Sequence, residues 1–101
     1  MAYAQTDRMI SGIVVDENGD PLPAAHIRQV SQTKGEELAA VITDMNGHFR
    51  LTLLRTAKEI EISYLGYESK KVRLTSANSY RIILEPASAG RGGVNRIADY
   101  L

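Results

Sequence analysis

Asp16, Asn18 and Asp20 alternate like the first three oxygen ligands of a helix-flanked calcium loop. That loop then requires glycine at its sixth position and a bidentate glutamate at its twelfth, where this chain has Pro21 and Ile27. The stretch therefore reads as a turn. His26 and His48 are the two histidines. Without a third ligand or a carboxylate of fixed geometry, they make neither a zinc site nor an acid–base pair. Tyr64 and Tyr67 flank Leu65-Gly66 and could present an aromatic platform to a sugar or a partner peptide. The competing reading packs both rings inward with their hydroxyls at the edge. Lys70, Lys71 and Arg73, with Lys34, Lys58 and Arg81, could form a basic patch, but Glu59, Glu61, Glu68 and Glu85 interleave with them. A mixed, solvated surface is expected there, not a nucleic-acid site. The chain has no cysteine, so disulfides, thiol nucleophiles and thiolate-bound zinc are excluded. It carries no nucleophile elbow and no His-Glu-x-x-His, and Gly90-x-Gly92-Gly93 does not follow a strand that could open a phosphate loop. No catalytic, metal or cofactor-binding residue is assigned.

The elements that must position these residues are short. From Met9 to Glu85 apolar residues recur at every second position, the period of half-buried strands, and turn residues interrupt them. Strands are expected at Met9–Asp16, Ala24–Val30, Leu38–Thr43, His48–Leu53, around Ile60, Ile62 and Tyr64, at Tyr67–Leu74, and around Tyr80, Ile82 and Leu84. Asn18-Gly19 and Asn46-Gly47 supply turn chemistry, and Gly66 breaks the fifth strand from the sixth. Pro21 and Pro23 lack amide donors, so the chain is expected to run extended and unpaired until Ala24. Ser31 to Glu37 reads as a loop. No connection carries a helical period, so the spacing predicts an all-β, seven-stranded antiparallel sandwich with no parallel crossover.

The same residues carry a resemblance. Ile10-Ser11-Gly12-Ile13-Val14-Val15-Asp16-Glu17-Asn18-Gly19-Asp20-Pro21-Leu22-Pro23-Ala24-Ala25 resembles the opening of the carboxypeptidase-regulatory-like domain. In particular it is similar to the version at the N-terminus of SusC-type TonB-dependent outer-membrane transporters of Bacteroidetes. Thr43-Asp44-Met45-Asn46-Gly47-His48-Phe49-Arg50-Leu51 and Ile62-Ser63-Tyr64-Leu65-Gly66-Tyr67 match further along, in order, over about residues 9–85. The resemblance implies a transthyretin-like (prealbumin-like) sandwich. Departures are Gln29, where family members often carry a β-branched residue, and Gly90–Ile97, which differs from the Val-rich segment that follows in such transporters. A 5-hydroxyisourate hydrolase shares the transthyretin-like fold, but its Tyr-Arg-Gly-Ser tetrapeptide has no counterpart, since Tyr80-Arg81 runs into Ile82-Ile83. Asp16 and Asp44 are expected to accept hydrogen bonds within their own turns, with Gly19 and Gly47 left-handed. Gly12 is expected to mark a bulge or the close approach of a side chain such as Tyr64 or Tyr67. Phe49, the one phenylalanine in a chain without tryptophan, should anchor the core.

At 101 residues the chain holds one compact domain. Twelve basic and twelve acidic residues cancel, which removes a global field toward nucleic acid or anionic lipid. No apolar run approaches the roughly 20 residues of a spanning helix, so direct membrane insertion of this segment is not expected. Residues 1–8 form an N-terminal segment whose Ala2-Tyr3-Ala4 reads as a signal-peptide remnant. Residues 9–85 form the sandwich. Residues 86–101 read as a linker and the start of a following region, with Val94, Ile97, Ala98 and Leu101 at helical spacing. The expected role, implied by the resemblance, is a non-enzymatic, exported interaction module on the periplasmic side of the outer membrane or at the cell surface. Its partner would be protein, either the rest of its own longer chain or a periplasmic or outer-membrane protein. Alternatives are a folding or anchoring module of a secreted or surface enzyme such as a metallocarboxypeptidase, or a weak carbohydrate-binding module.

Overall fold

The computed structural model describes residues 7–30 and 39–87; the expected 31–37 loop and the 94–101 stripe lie outside them. Alternation of apolar and polar side chains becomes seven strands: β1 (Arg8–Val15), β2 (His26–Gln29), β3 (Ala40–Ile42), β4 (His48–Leu53), β5 (Glu59–Ser63), β6 (Lys70–Arg73) and β7 (Ser79–Ile83). They form a three-stranded sheet ordered β4-β1-β7 and a four-stranded sheet ordered β3-β2-β5-β6. Inward-facing Ile10, Val14, Phe49, Leu51, Leu53 and Ile82 of the first sheet meet Ile27, Ile60 and Ile62 of the second. Each fully buried isoleucine or leucine contributes about 2 kcal/mol of transfer free energy. The alternation is cleanest in β4, where His48, Arg50 and Thr52 point out and Phe49, Leu51 and Leu53 point in.

The sandwich is not antiparallel throughout. β1 pairs antiparallel with β4 but parallel with β7, with Gly12 opposite Tyr80 and Val14 opposite Ile82. No single direct crossover joins the two parallel neighbours. Here the connection is the rest of the domain. The chain leaves β1, builds the second sheet and β4, and returns along β1's other edge in the original direction.

Gly12 lies on the inner face opposite Phe49. A Cβ there would stand 2.8 Å from the Phe49 ring and would collide with the Tyr80 carbonyl oxygen. The close approach is therefore made by Phe49 and the neighbouring strand, not by Tyr64 or Tyr67, whose turn belongs to the other sheet. The proline segment also differs from expectation. Pro21 bridges Val15, and Leu22 donates its N–H to the Val14 carbonyl at 3.0 Å, because the neighbouring amides supply the bonds that proline cannot. This fold-back covers Val15, which is buried although it lies on the outer face of β1.

At the opposite end, the Arg8 guanidinium donates to the Thr75 and Ala77 carbonyls. The Tyr80 hydroxyl donates to Ala77 O at 2.8 Å and accepts the Thr75 N–H at 3.1 Å. Partial burial pushes the Tyr80 pKa up, but the Thr75 hydrogen bonds and the Arg8 charge outweigh it and hold the hydroxyl below its ordinary value. Gln29 is buried and accepts the Leu54 N–H through Oε1 at 3.3 Å, so its polar side chain is satisfied at the position where it departs from the β-branched residue of the resembled family.

Gly47 and Gly66 both adopt left-handed backbone, with φ of 79° and 87°. A Cβ on Gly47 would lie 2.7 Å from the Val14 carbonyl and 3.0 Å from Pro21, whereas one on Gly66 would meet nothing within 4 Å. Gly66→Ala is expected to cost about 1 kcal/mol, the left-handed penalty alone. Gly47→Ala should cost roughly 2 kcal/mol more because rigid backbone must also move. Urea denaturation of the two variants checks the difference.

Candidate functional site

Two turns in the chain share one wiring. In each, an aspartate carbonyl accepts the N–H of the glycine three residues on, at 3.0 Å for Asp16–Gly19 and 2.9 Å for Asp44–Gly47. The aspartate Oδ1 accepts the amides two and four residues on: Asn18 and Asp20 at 2.8 and 2.9 Å, Asn46 and His48 both at 2.9 Å. The aspartate N–H donates back to the carbonyl four residues on, at 2.8 and 2.9 Å. Gly19 and Gly47 are left-handed; Asn18 and Asn46 are not. Each carboxylate is thus occupied as an acceptor of its own turn, the job that Asp does best in such loops. Val14 donates its N–H to the Gly47 carbonyl at 2.8 Å, which sets the two turns side by side.

Strand direction brings the remaining motif to the same end. Tyr67 donates its N–H to the Tyr64 carbonyl at 2.9 Å, closing a turn through Leu65 and left-handed Gly66. Tyr67 bridges Pro86, Glu68 donates to Glu85 O and Ala87 to Gly66 O, both at 2.9 Å, so this seam between the sheets is stitched shut. The Tyr64 and Tyr67 rings are half-buried against the core, their centroids 5.6 Å apart and their planes inclined by 58°. Burial, together with the charges of Glu17 and Asp16, raises the Tyr67 pKa. Its hydroxyl therefore senses the first aspartate turn.

Between the turns, Leu22–Ala25 forms a tight corner in which Ala24, not glycine, takes a φ of 64°. The buried Thr43 hydroxyl closes it: Oγ1 donates to the Leu22 carbonyl at 2.6 Å and accepts the Ala25 N–H at 2.8 Å. Ala24 and Thr43 both lie within the resembling motifs, but neither role was readable there, since the hydroxyl bridges residues about twenty positions away and alanine gives no signal of positive φ. Beside this corner, Pro23, Ala24, His26, Ser63, Tyr64 and Leu65 line an open groove of about 650 Å³. His26 lies on the outer face of β2 and His48 on that of β4, in different sheets, so the fold does not bring the histidines together. Among the described residues no cluster of three or more His, Asp and Glu could hold a metal ion. Arg28 and Glu61 pair across β2 and β5 on the outer face.

The architecture defines the class first. The all-β sandwich of seven strands is shared with the crystal structure of 3-chlorocatechol 1,2-dioxygenase from Rhodococcus opacus 1CP, at a TM-score of 0.63. The identity is 17%, covering 83% of this chain and 61% of that one, so the likeness is one of fold alone. The sequence then gives the family: the model of the carboxypeptidase regulatory-like domain matches residues 9–85, and the chain belongs to that family. A curated relative, the TonB-dependent receptor P39 of Formosa agariphila, is 28% identical over 67 residues. That match covers 66% of this chain and 6% of the receptor, so the chain corresponds to a small part of that protein.

Thr43→Val should destabilise by about 2 kcal/mol, because the Leu22 carbonyl and Ala25 N–H lose a buried partner, while Thr43→Ser should cost about 1 kcal/mol or less. Thermal and urea unfolding separate the two. The His48 amide holds the Asp44 carboxyl below its ordinary value of 3.8; burial opposes this, and the Asn46 amide and the His48 charge add to the lowering. A carboxyl depressed on folding contributes stability that is full above 3.8 and lost as pH falls through the lower folded value. Asp44→Asn should therefore flatten the fall in the urea midpoint below about pH 4.

Proposed function

We propose that residues 9–85 are a non-enzymatic accessory module of a TonB-dependent outer-membrane transporter, held on the periplasmic side and serving uptake of nutrients such as glycans. The observation that carries this reading is the family match over residues 9–85 together with a TonB-dependent receptor relative aligned over only 67 residues. The chemistry of the turn end supports it. Asp16, Asp44 and Thr43 are engaged by backbone groups of their own loops, and the histidines stand apart, so these side chains act as architecture. A module of this kind works by contact with the rest of its own protein or with a periplasmic partner.

Deleting residues 9–85 from the full-length gene in its host tests the proposal. The expected result is impaired growth on the transported nutrient with normal amounts of folded barrel in the outer membrane. Unchanged uptake would overturn it. So would loss of a linked enzyme's yield at constant specific activity, the outcome expected of a folding module.

A further inference from the structure

The chain is formally neutral, yet the fold sorts its charges along the strand axis. Asp16, Glu17 and Asp20 in the first turn, Asp44 in the second, and Glu68 and Glu85 beside the Tyr67–Pro86 bridge all stand at the turn end. Two cations approach them. Lys70 Nζ donates to the Ile83 carbonyl at 3.2 Å, and Arg81 reaches to 3.9 Å from where a Gly19 Cβ would be. Arg8, opposite Leu53, Arg55 just beyond β4, Lys58, and Arg73, opposite Glu59, lie toward the other end, where Asp7 and Glu59 offset them only in part.

The most exposed apolar side chains stand at the same end, while Met9 at 53% and Leu54 at 40% lie toward the Arg8 end. The three most exposed large hydrophobic side chains among the described residues are Leu65 at 95%, Met45 at 80% and Ile42 at 57%, and all lie at the turn end. Folding does not require Leu65, which sits at the tip of an open turn and packs on nothing that would hold it. It walls the 650 Å³ groove with Tyr64 and Ala24. A second, shallower groove of about 380 Å³ continues from His26 to Ile42. The row Ile42, His26, Ser63 across β3, β2 and β5 makes the two continuous. One wall is Ala24, a non-glycine residue kept in left-handed backbone, the kind of local strain that a surrounding fold must maintain.

We propose that the turn end docks a basic, extended segment of a partner protein. An aliphatic side chain of that segment seats between Leu65, Tyr64 and Ala24, and its lysines or arginines meet Glu17, Asp20 and Glu68. The inference rests on the accessory-module reading and names the partner's chemistry. Charge complementarity selects the occupant. An anionic lipid surface is repelled by these carboxylates, a neutral sugar leaves them unused, and a second copy related by a two-fold axis sets the acidic end against itself.

The test titrates the isotope-labelled chain with a ten-residue peptide alternating lysine and valine. Two control peptides replace lysine by glutamate and valine by serine. Amide shifts are expected at Ala24, His26, Ile42, Ser63 and Leu65, and rising salt should weaken them. Leu65→Ser should weaken binding about fivefold, as should the combined Glu17→Gln, Asp20→Asn and Glu68→Gln variant, with unchanged thermal midpoints. Asp16 and Asp44 are left intact because they wire their turns. Shifts spread over the whole surface, equal binding of the glutamate peptide, variants that bind as well as the parent, or self-association in place of peptide binding would each overturn the proposal. The titration does not involve transport. Failed peptide binding with a positive deletion phenotype would remove this surface and leave the accessory-module reading standing.

Discussion

Phe49 lying across Gly12 is the contact on which the first sheet depends. The largest apolar side chain of the core has its register partner on β1, and only a residue without a Cβ lets the ring settle against that strand while the Tyr80 carbonyl closes from the other side. β1 is the middle strand of its sheet, so its position sets β4 and β7 together. A side chain at position 12 would push on both at once. Close packing of interiors turns such a local need into a requirement on the whole layer.

The two ends of the sandwich are built by different means. At the Arg8 end, long side chains reach to loop carbonyls, with the Tyr80 hydroxyl tying Thr75 and Ala77. At the turn end, short side chains satisfy amides within a few residues, twice with the same geometry, and the Thr43 hydroxyl completes the corner that local bonds leave open. This leaves the turn tips free of packing duties. Exposed apolar tips above locally braced backbone make a surface that can be contacted without disturbing the core, as an accessory module requires.

The turn aspartates and glycines were legible because their roles are local: Asp-x-Asn-Gly specifies its own hydrogen bonds within five residues. The inward faces of β1, β4 and β5 were legible because alternation with one buried face sets the side of every residue. The identity of the residue over Gly12 was not, since Phe49 is 37 positions away and only the register pairs them. The Thr43 bridge, the strained Ala24 and the groove beside Leu65 were hidden for the same reason. Each depends on which loops the strand order places next to one another.

Period-two patterning and turn residues were enough, from the chain alone, to determine seven strands and their faces, because these rest on interactions between near neighbours; the domain family was carried by the resemblance of three separated motifs. The tertiary structure decided the parallel pairing of β1 with β7, which follows from the chain's return after building another sheet. It also decided the gathering, among the described residues, of most carboxylates and of the three most exposed apolar side chains at one end. A formal balance of twelve against twelve has no direction until the strands are laid side by side, and strand direction then gathers the carboxylates of distant turns at a common pole.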